Sequence, residues 1–344
     1  MESNNKHAPL YQAGFTLIEI MVGLVIGLLT TLVIMQVFSV FEAQKRSTTG
    51  SADAQTNGST TLYTIGRELS LAGFGLVPVT NSALECTAPI IDPATGVGSL
   101  SPVTITDGGA AAGASDSITI RYGTSPMGGI PTPITAMAPP ITVDNNMGCQ
   151  VNDIAIIING PALCNVTKVL NLTPPPNYTG ITLQNLAGAI AGSEVACLGT
   201  WNEITYRVNN GNLERNGVPS IASIVNIQAQ YGVSAAANVN LIAQWVDATG
   251  AIWAAPTTAN RNRIKAIRIA VVARNGLLEK TNVTTACSSL TLAAPTGLCA
   301  WEGSVASPAP RIDVSNDPDW ARYRYRVFET IIPLRNVIWA RSTL

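Results

Sequence analysis

Histidine is nearly absent from this 344-residue chain, which holds one, His7. Everything C-terminal to it therefore lacks Ser-His-Asp catalysis, Cys-His catalysis and His-ligated zinc. Charge is scarce as well. Charged residues make up 12%, and 20 Lys plus Arg nearly balance 21 Asp plus Glu, giving a net charge of −1. A near-neutral chain has no electrostatic reason to coat nucleic acid as a whole. None of the six cysteines sits in a CxxC pair, which argues against zinc ribbons and thioredoxin-like chemistry. No phosphate-binding glycine loop or nucleophile motif is present. The expectation is a non-enzyme with no cofactor and no metal.

One depletion is local. From Phe15 to Phe41 the only charged residue is Glu19. As a helix this run would be roughly 40 Å long, enough to cross a bilayer hydrocarbon core of about 30 Å. An acid inside such a segment is costly, and the default reading is functional, with a cationic partner to be named. Cleavage between Gly14 and Phe15 would create that partner, the new α-amino group of Phe15. Opposite unit charges about 4 Å apart attract strongly enough to offset most of the cost of carrying either into the membrane. A helix side chain leans toward its own N-terminus, so Glu19 could reach its own amine or that of a staggered neighbour. Gly23 and Gly27 form a small-xxx-small face that permits close helix approach.

The stretch Gly14-Phe15-Thr16-Leu17-Ile18-Glu19 resembles the type III signal of type IV prepilins and type II secretion pseudopilins. An ordinary secretory signal, the alternative, would be cut after its apolar part and would rarely hold a Glu. The resemblance implies that a prepilin peptidase cleaves Gly14/Phe15, that Phe15 is N-methylated, and that Glu19 docks the subunit into a filament. The orientation also rests on the resemblance more than on the positive-inside rule, because the leader has Lys6 as its only fixed cation and its charge bias is weak. Major pilins of this kind often carry a proline partway along the helix. None is present here, so any local melting would fall on Gly27, Thr30 and Thr31.

Beyond Phe41 the composition turns polar, and then Leu62, Ile65, Leu69 and Ala72 recur at helical spacing. This predicts a stalk helix whose apolar stripe lies on a globular domain, ended by Gly73-Phe74-Gly75 and Pro78. Residues 66–75 resemble the end of the stalk in PilW-type minor pilins. Short strands follow: Ile118, Ile120 and Tyr122 alternate, Ile154–Ile158 is a continuous apolar run, and Ile204, Tyr206 and Val208 lead to the hairpin signal Asn210-Gly211. Residues 261–274 put Ile267, Ile269 and Val271 on one face of a strand and Arg268 and Arg274 on the other. Segments 87–115, 123–150 and 171–200 read as long loops. Arg263–Ala270 and Arg326–Asn336 resemble the paired late strands of the PilW family and, more distantly, J-type minor pseudopilins.

An even cysteine count in an exported domain reads as disulfides, with free buried thiols as the alternative. Among Cys86, Cys149, Cys164, Cys197, Cys287 and Cys299, the local pair Cys287–Cys299 is favoured first and Cys149–Cys164 second. Three further groups have candidate roles. Arg322, Arg324 and Arg326, interleaved with Tyr323 and Tyr325, could grip nucleic acid, but a solvated strand face is the plainer reading and no nucleic acid is expected. Asp313, Asn316, Asp317 and Asp319 offer oxygen ligands without an EF-hand pattern, and are also ordinary turn residues. Ile130, Pro131, Pro133, Met137, Pro139 and Pro140 suggest a partner surface or a covered loop.

The expected architecture is α+β and pilin-like: leader 1–14, membrane helix 15–41, amphipathic stalk 42–75, and a disulfide-stapled, mainly antiparallel β head 76–344. The resemblance implies a structural minor pilin that primes or caps the type IV pilus and supports attachment and twitching. It would wait in the inner membrane, head in the periplasm, and later reach the cell surface. Implied partners are other minor pilins and the major pilin, the prepilin peptidase, a pilus-tip adhesin, the inner-membrane assembly platform and lipid. The alternatives are a J-type pseudopilin of type II secretion and a tip-exposed adhesin or receptor subunit.

Overall fold

A computed structural model describes residues 14–76, 86–160 and 163–339. The leader up to residue 13 and Pro78 lie outside the described residues. Helix α1 runs Leu17–Leu69 without a break, and the chain divides into a unit up to Ser51 and a unit from Ala52 onward. The first unit holds the apolar half of α1 and the polar turns that follow it up to Ser51. In the second unit α1 buries Ala54, Gly58, Thr61, Ile65 and Leu69, spaced by three or four residues, which is one face of a helix. Leu62 packs half-buried beside them. The helix then tightens into three-residue turns through Leu76, and positive φ angles at Gly73 (77°) and Gly75 (83°) take the chain off its axis.

Sixteen strands follow among the described residues. The first five are β1 (Ala88–Ile91), β2 (Val103–Thr106), β3 (Ser117–Tyr122), β4 (Thr132–Ala136) and β5 (Ile141–Val143). Next come β6 (Ile154–Asn159), β7 (Leu163–Leu172), β8 (Gly180–Leu183), β9 (Glu194–Gly199) and β10 (Asn202–Asn209). The rest are β11 (Asn212–Arg215), β12 (Val218–Ala222), β13 (Ile224–Ser234), β14 (Ile242–Val246), β15 (Ile264–Arg274) and β16 (Tyr325–Pro333).

Two antiparallel sheets, β12-β11-β10-β3-β2 and β14-β13-β15-β16, share one core with the stalk stripe. Asn210 and Gly211 both have positive φ (48° and 72°), the geometry of the two-residue turn that their sequence signals. Phe328 of β16 lies over Gly58 so closely that an added Cβ would run into its ring. A glycine is required there for helix and sheet to meet.

The segments expected as long loops are not loops. β4, β5, β8 and β9 arise within them, and with β6 and β7 they form a ring β7-β6-β9-β4-β5-β8-β7, a closed six-stranded barrel with β1 added in parallel to β7. Its interior is Ile134, Ile141, Val143, Ala155, Ile157, Val169, Ile181, Leu183 and Val195 with Cys197. Closure satisfies every strand edge of the ring, so strands of three to five residues suffice.

The face of β15 that carries Arg268 is covered as well, so the strand is buried on both faces. Residues from the segment after β15, among them Leu298, Ala300, Ile312 and Val314, pack on Ala270 and Val272. Arg268 is 4% exposed and lies between two indoles, 5.1 Å from Trp245 and 4.9 Å from Trp301. It donates to Gln230 Oε1 (2.6 Å) and to the Pro308 carbonyl (2.9 Å). Gln230 in turn donates to Asp247 Oδ1 (2.6 Å). Burial pulls the guanidinium down to about 10, so it stays charged.

Asp116, 3% exposed, accepts from the Gly108 and Ala229 amides at 2.9 and 2.8 Å. Burial outweighs these bonds and pushes its carboxyl up from 3.8 to about 7. Between roughly pH 4 and 7 the folded chain holds a proton here that the unfolded chain releases. This site's contribution to stability is complete below about pH 4 and is lost as the pH rises through 7. Thermal unfolding of the detergent-solubilised chain at pH 5 and pH 8 is therefore expected to show a smaller pH difference for Asp116→Asn than for the unchanged chain. Equal differences would contradict this account.

Candidate functional site

The N-terminal site is built from one helix turn. Thr16 precedes α1, and Glu19 lies in its first turn. The Thr16 amide and hydroxyl both donate to Glu19 Oε2 at 2.8 Å, while the Glu19 amide donates to Thr16 Oγ1 at 3.3 Å. This reciprocal arrangement, with the threonine leading and the acid three residues on, satisfies amide groups that have no partner inside a helix. Thr16 is the functional residue that the sequence reading passed over, although Thr-x-x-Glu is a readable start signal. It holds the Glu19 carboxylate at the end of the helix, facing outward.

From Phe15 to Phe41 the helix presents a bare apolar surface. Exposure runs from 84% at Phe15 to 66% at Phe41, with no buried residue between them. Length and composition suffice to cross a membrane. Cβ positions built at Gly23 and Gly27 meet nothing within 4 Å, so that face is open for close approach. Thr30 and Thr31 donate to the carbonyls four residues back, both at 2.7 Å, and the helix is continuous through them.

Three disulfides are formed, Cys86–Cys164, Cys149–Cys197 and Cys287–Cys299, with Cα separations of 5.9, 5.2 and 4.8 Å. The expected Cys149–Cys164 pair is therefore wrong. Cys164 opposes Ile158 near the β6–β7 turn, whereas Cys149 precedes β6 at its other end. A strand of six residues separates them by roughly 20 Å, far beyond disulfide reach.

The remaining candidates are scattered or already engaged. Arg322 belongs to a short turn before β16 and pairs with Asp319 (2.9 Å), Arg324 pairs with Glu279 (2.7 Å), and Arg326 donates to Gln55 of the stalk (2.7 Å). They do not form one row. Asp317 pairs with Arg274 and Asp313 with Arg311, and the Ser315 hydroxyl and amide lower the Asp313 carboxyl. Among the described residues no group of three or more His, Cys, Asp or Glu is placed to hold a metal. Ile130, Pro131 and Pro133 line a groove of about 180 Å³ with Cys149 and Cys197 among its walls, while Met137 packs half-buried on the barrel core and Pro139 and Pro140 are exposed.

Comparison with known families matches both ends of the chain. Residues 202–336 match Type IV Pilus-assembly protein W, from β10 through β16 and beyond it. Residues 10–35 match the prokaryotic N-terminal methylation motif, which contains Thr16 and Glu19. No curated protein and no solved structure matches the chain. With a prepilin-type helix start ahead of an α+β head that carries the matched late strands, the chain is similar to the PilW-like minor pilins of the type IV pilus.

Proposed function

We propose that this chain is a structural, non-catalytic subunit that primes or caps the type IV pilus. It is held in the inner membrane by α1 with its head in the periplasm. The prepilin peptidase cuts Gly14/Phe15, Phe15 is methylated, and the freed amine meets Glu19 of the same or a neighbouring subunit. Gly23 and Gly27 allow the helices to close on one another. Other minor pilins and the major pilin are its neighbours, and a tip adhesin and the inner-membrane assembly platform are its further partners. The observation that carries this reading is the outward-held Glu19 carboxylate at the start of a fully exposed apolar helix. Such a surface needs lipid first and other helices later. Surface attachment and twitching then follow from the pilus. A strain without the chain is expected to lose surface pili in sheared preparations; a wild-type yield would overturn the priming role.

A second reading, a tip-exposed receptor or adhesin subunit, is favoured by the barrel. It lies outside the family-matched residues. Within 126–199 the charged residues are Asp144, Asp153, Lys168 and Glu194, and Met127, Ile130 and Met147 stand exposed around the groove. Deleting the barrel would then abolish adhesion while pili still form.

A further inference from the structure

The two sheets of the head end in four edges, and side chains cap three of them. At β2 the Ile105 amide donates to the Tyr231 hydroxyl (2.7 Å) and Ser101 Oγ donates to the Val103 carbonyl (3.0 Å). At β14 the Trp245 amide donates to Ser307 Oγ (2.8 Å), which donates back to the Trp245 carbonyl (3.4 Å). At β12, Asn57 of the stalk donates to the Ala222 carbonyl (3.1 Å).

The fourth edge is β16. The Leu334 amide donates to the Lys265 carbonyl (2.8 Å), and the Asn275 amide donates to the Arg324 carbonyl (2.9 Å). With the uniform register of β15 and β16, these two bonds fix the parity. Arg326, Phe328, Thr330 and Ile332 bond to β15. The amides and carbonyls of Tyr325, Val327, Glu329 and Ile331, and the carbonyl of Pro333, point away from it. Among the described residues none of these groups has a hydrogen-bond partner. Arg326, Glu329 and Ile331 are exposed along the same edge, Ile331 by 51%. Each of the other three edges receives at least one side-chain hydrogen bond to its backbone, whereas the longest edge strand receives none, which is the pattern of an edge open to strand addition.

We propose that β16 takes an extended segment of a different pilus subunit as a fifth strand on the β14-β13-β15-β16 sheet. This rests on the reading of the chain as a pilus subunit. Ile331 asks for an apolar residue on the incoming strand, since Arg326 already donates to Gln55 (2.7 Å) and Glu329 accepts from the Trp301 amide (2.8 Å). A second copy of this chain fits poorly. Two-fold antiparallel pairing of Tyr325–Pro333 would set Glu329 against its own copy and Tyr325 against Pro333, which has no amide to give.

The test uses the full chain in piliated cells, with the photo-cross-linker p-benzoylphenylalanine in place of Ile331, and in place of the exposed Leu241 as a control. The expected result is an adduct from position 331, and none from 241, with a second polypeptide that has its own N-terminal methylation motif. In parallel, Val327→Pro and Ile331→Pro remove outward amides while leaving the ladder to β15 intact. Both are expected to lower the amount of chain in sheared pili by at least about tenfold at an unchanged melting temperature. Chain present in pili with no adduct at 331, or an adduct with its own copy alone, would overturn the edge proposal and leave the pilin reading standing. Absence of the unsubstituted chain from purified pili would overturn both.

Discussion

Glu19→Ala is expected to reduce incorporation of the chain into pili by at least about tenfold while leaving its level in the membrane unchanged. The alanine keeps the helix and its apolar surface, so insertion into lipid persists. What is lost is the acid that Thr16 holds at the helix start and that the Phe15 amine is proposed to meet. Glu19→Gln separates the two roles of this side chain. An amide oxygen can still accept from the Thr16 amide and hydroxyl, so the helix start survives, but no charge remains for the amine. Incorporation of the glutamine variant is expected to fall nearly as far as that of the alanine variant. Thr16→Ala, which weakens the helix start and keeps the charge, is expected to fall less. Immunoblots of sheared pili against whole membranes measure all three. Wild-type incorporation of Glu19→Gln would show that the hydrogen bonds, not the charge, are what assembly needs.

The second large effect lies in the head. Arg268→Ala is expected to destabilise it by about 3 kcal/mol or more, because the guanidinium is the one group that joins Trp245, Trp301, Gln230 and the Pro308 carbonyl. For a domain of this size that is a fall in melting temperature on the order of 5–10 °C. The segment after β15 should loosen first, since Trp301 and Pro308 belong to it, and limited proteolysis should cut there before cutting β13 or β15. Arg268→Lys keeps the charge but loses the planar stack and the fork of donors, and is expected to recover only part of the loss. A melting curve for Arg268→Ala that overlays the unchanged chain would show that the indoles alone hold this segment down.

Arg268 also shows where the sequence was readable and where it was not. Alternation of apolar residues along β15 identified a strand with one buried face correctly. The alternation does not say what covers the arginine face, and only the tertiary structure, by laying Leu298 and Ile312 over Ala270 and Val272, supplies a second layer. The barrel stayed hidden for a related reason. Its strands are short, interrupted or separated by residues such as Pro133, Pro139 and Pro140, and stabilised by closing on one another across up to 63 positions of sequence, as Thr132 of β4 does with Val195 of β9. No local pattern encodes that pairing. Nearness in sequence was equally misleading for Cys149 and Cys164, which the six residues of β6 hold apart.

Signals confined to one turn or one helix face were the legible ones. Asn210-Gly211 makes its turn with both φ values positive, and Ile65 and Leu69 lie in the buried stripe of the stalk. The candidate assembly site is proposed from a signal of the same short range. Gly14, Phe15 and Glu19 were found from a short motif, and Thr16 could have been found from the same six residues. The partner edge on β16 could not, because an open edge is defined by the absence of a neighbour, and that is known only once every other strand is placed.

The account depends on a positive terminus being freed next to Glu19, and intact-mass analysis of the chain purified from pili tests this most directly. The predicted result is a polypeptide that starts at Phe15 and carries one added methyl group on its amine. A mass that still includes residues 1–14 would contradict the account, because Glu19 would then have no amine within its own helix turn to meet.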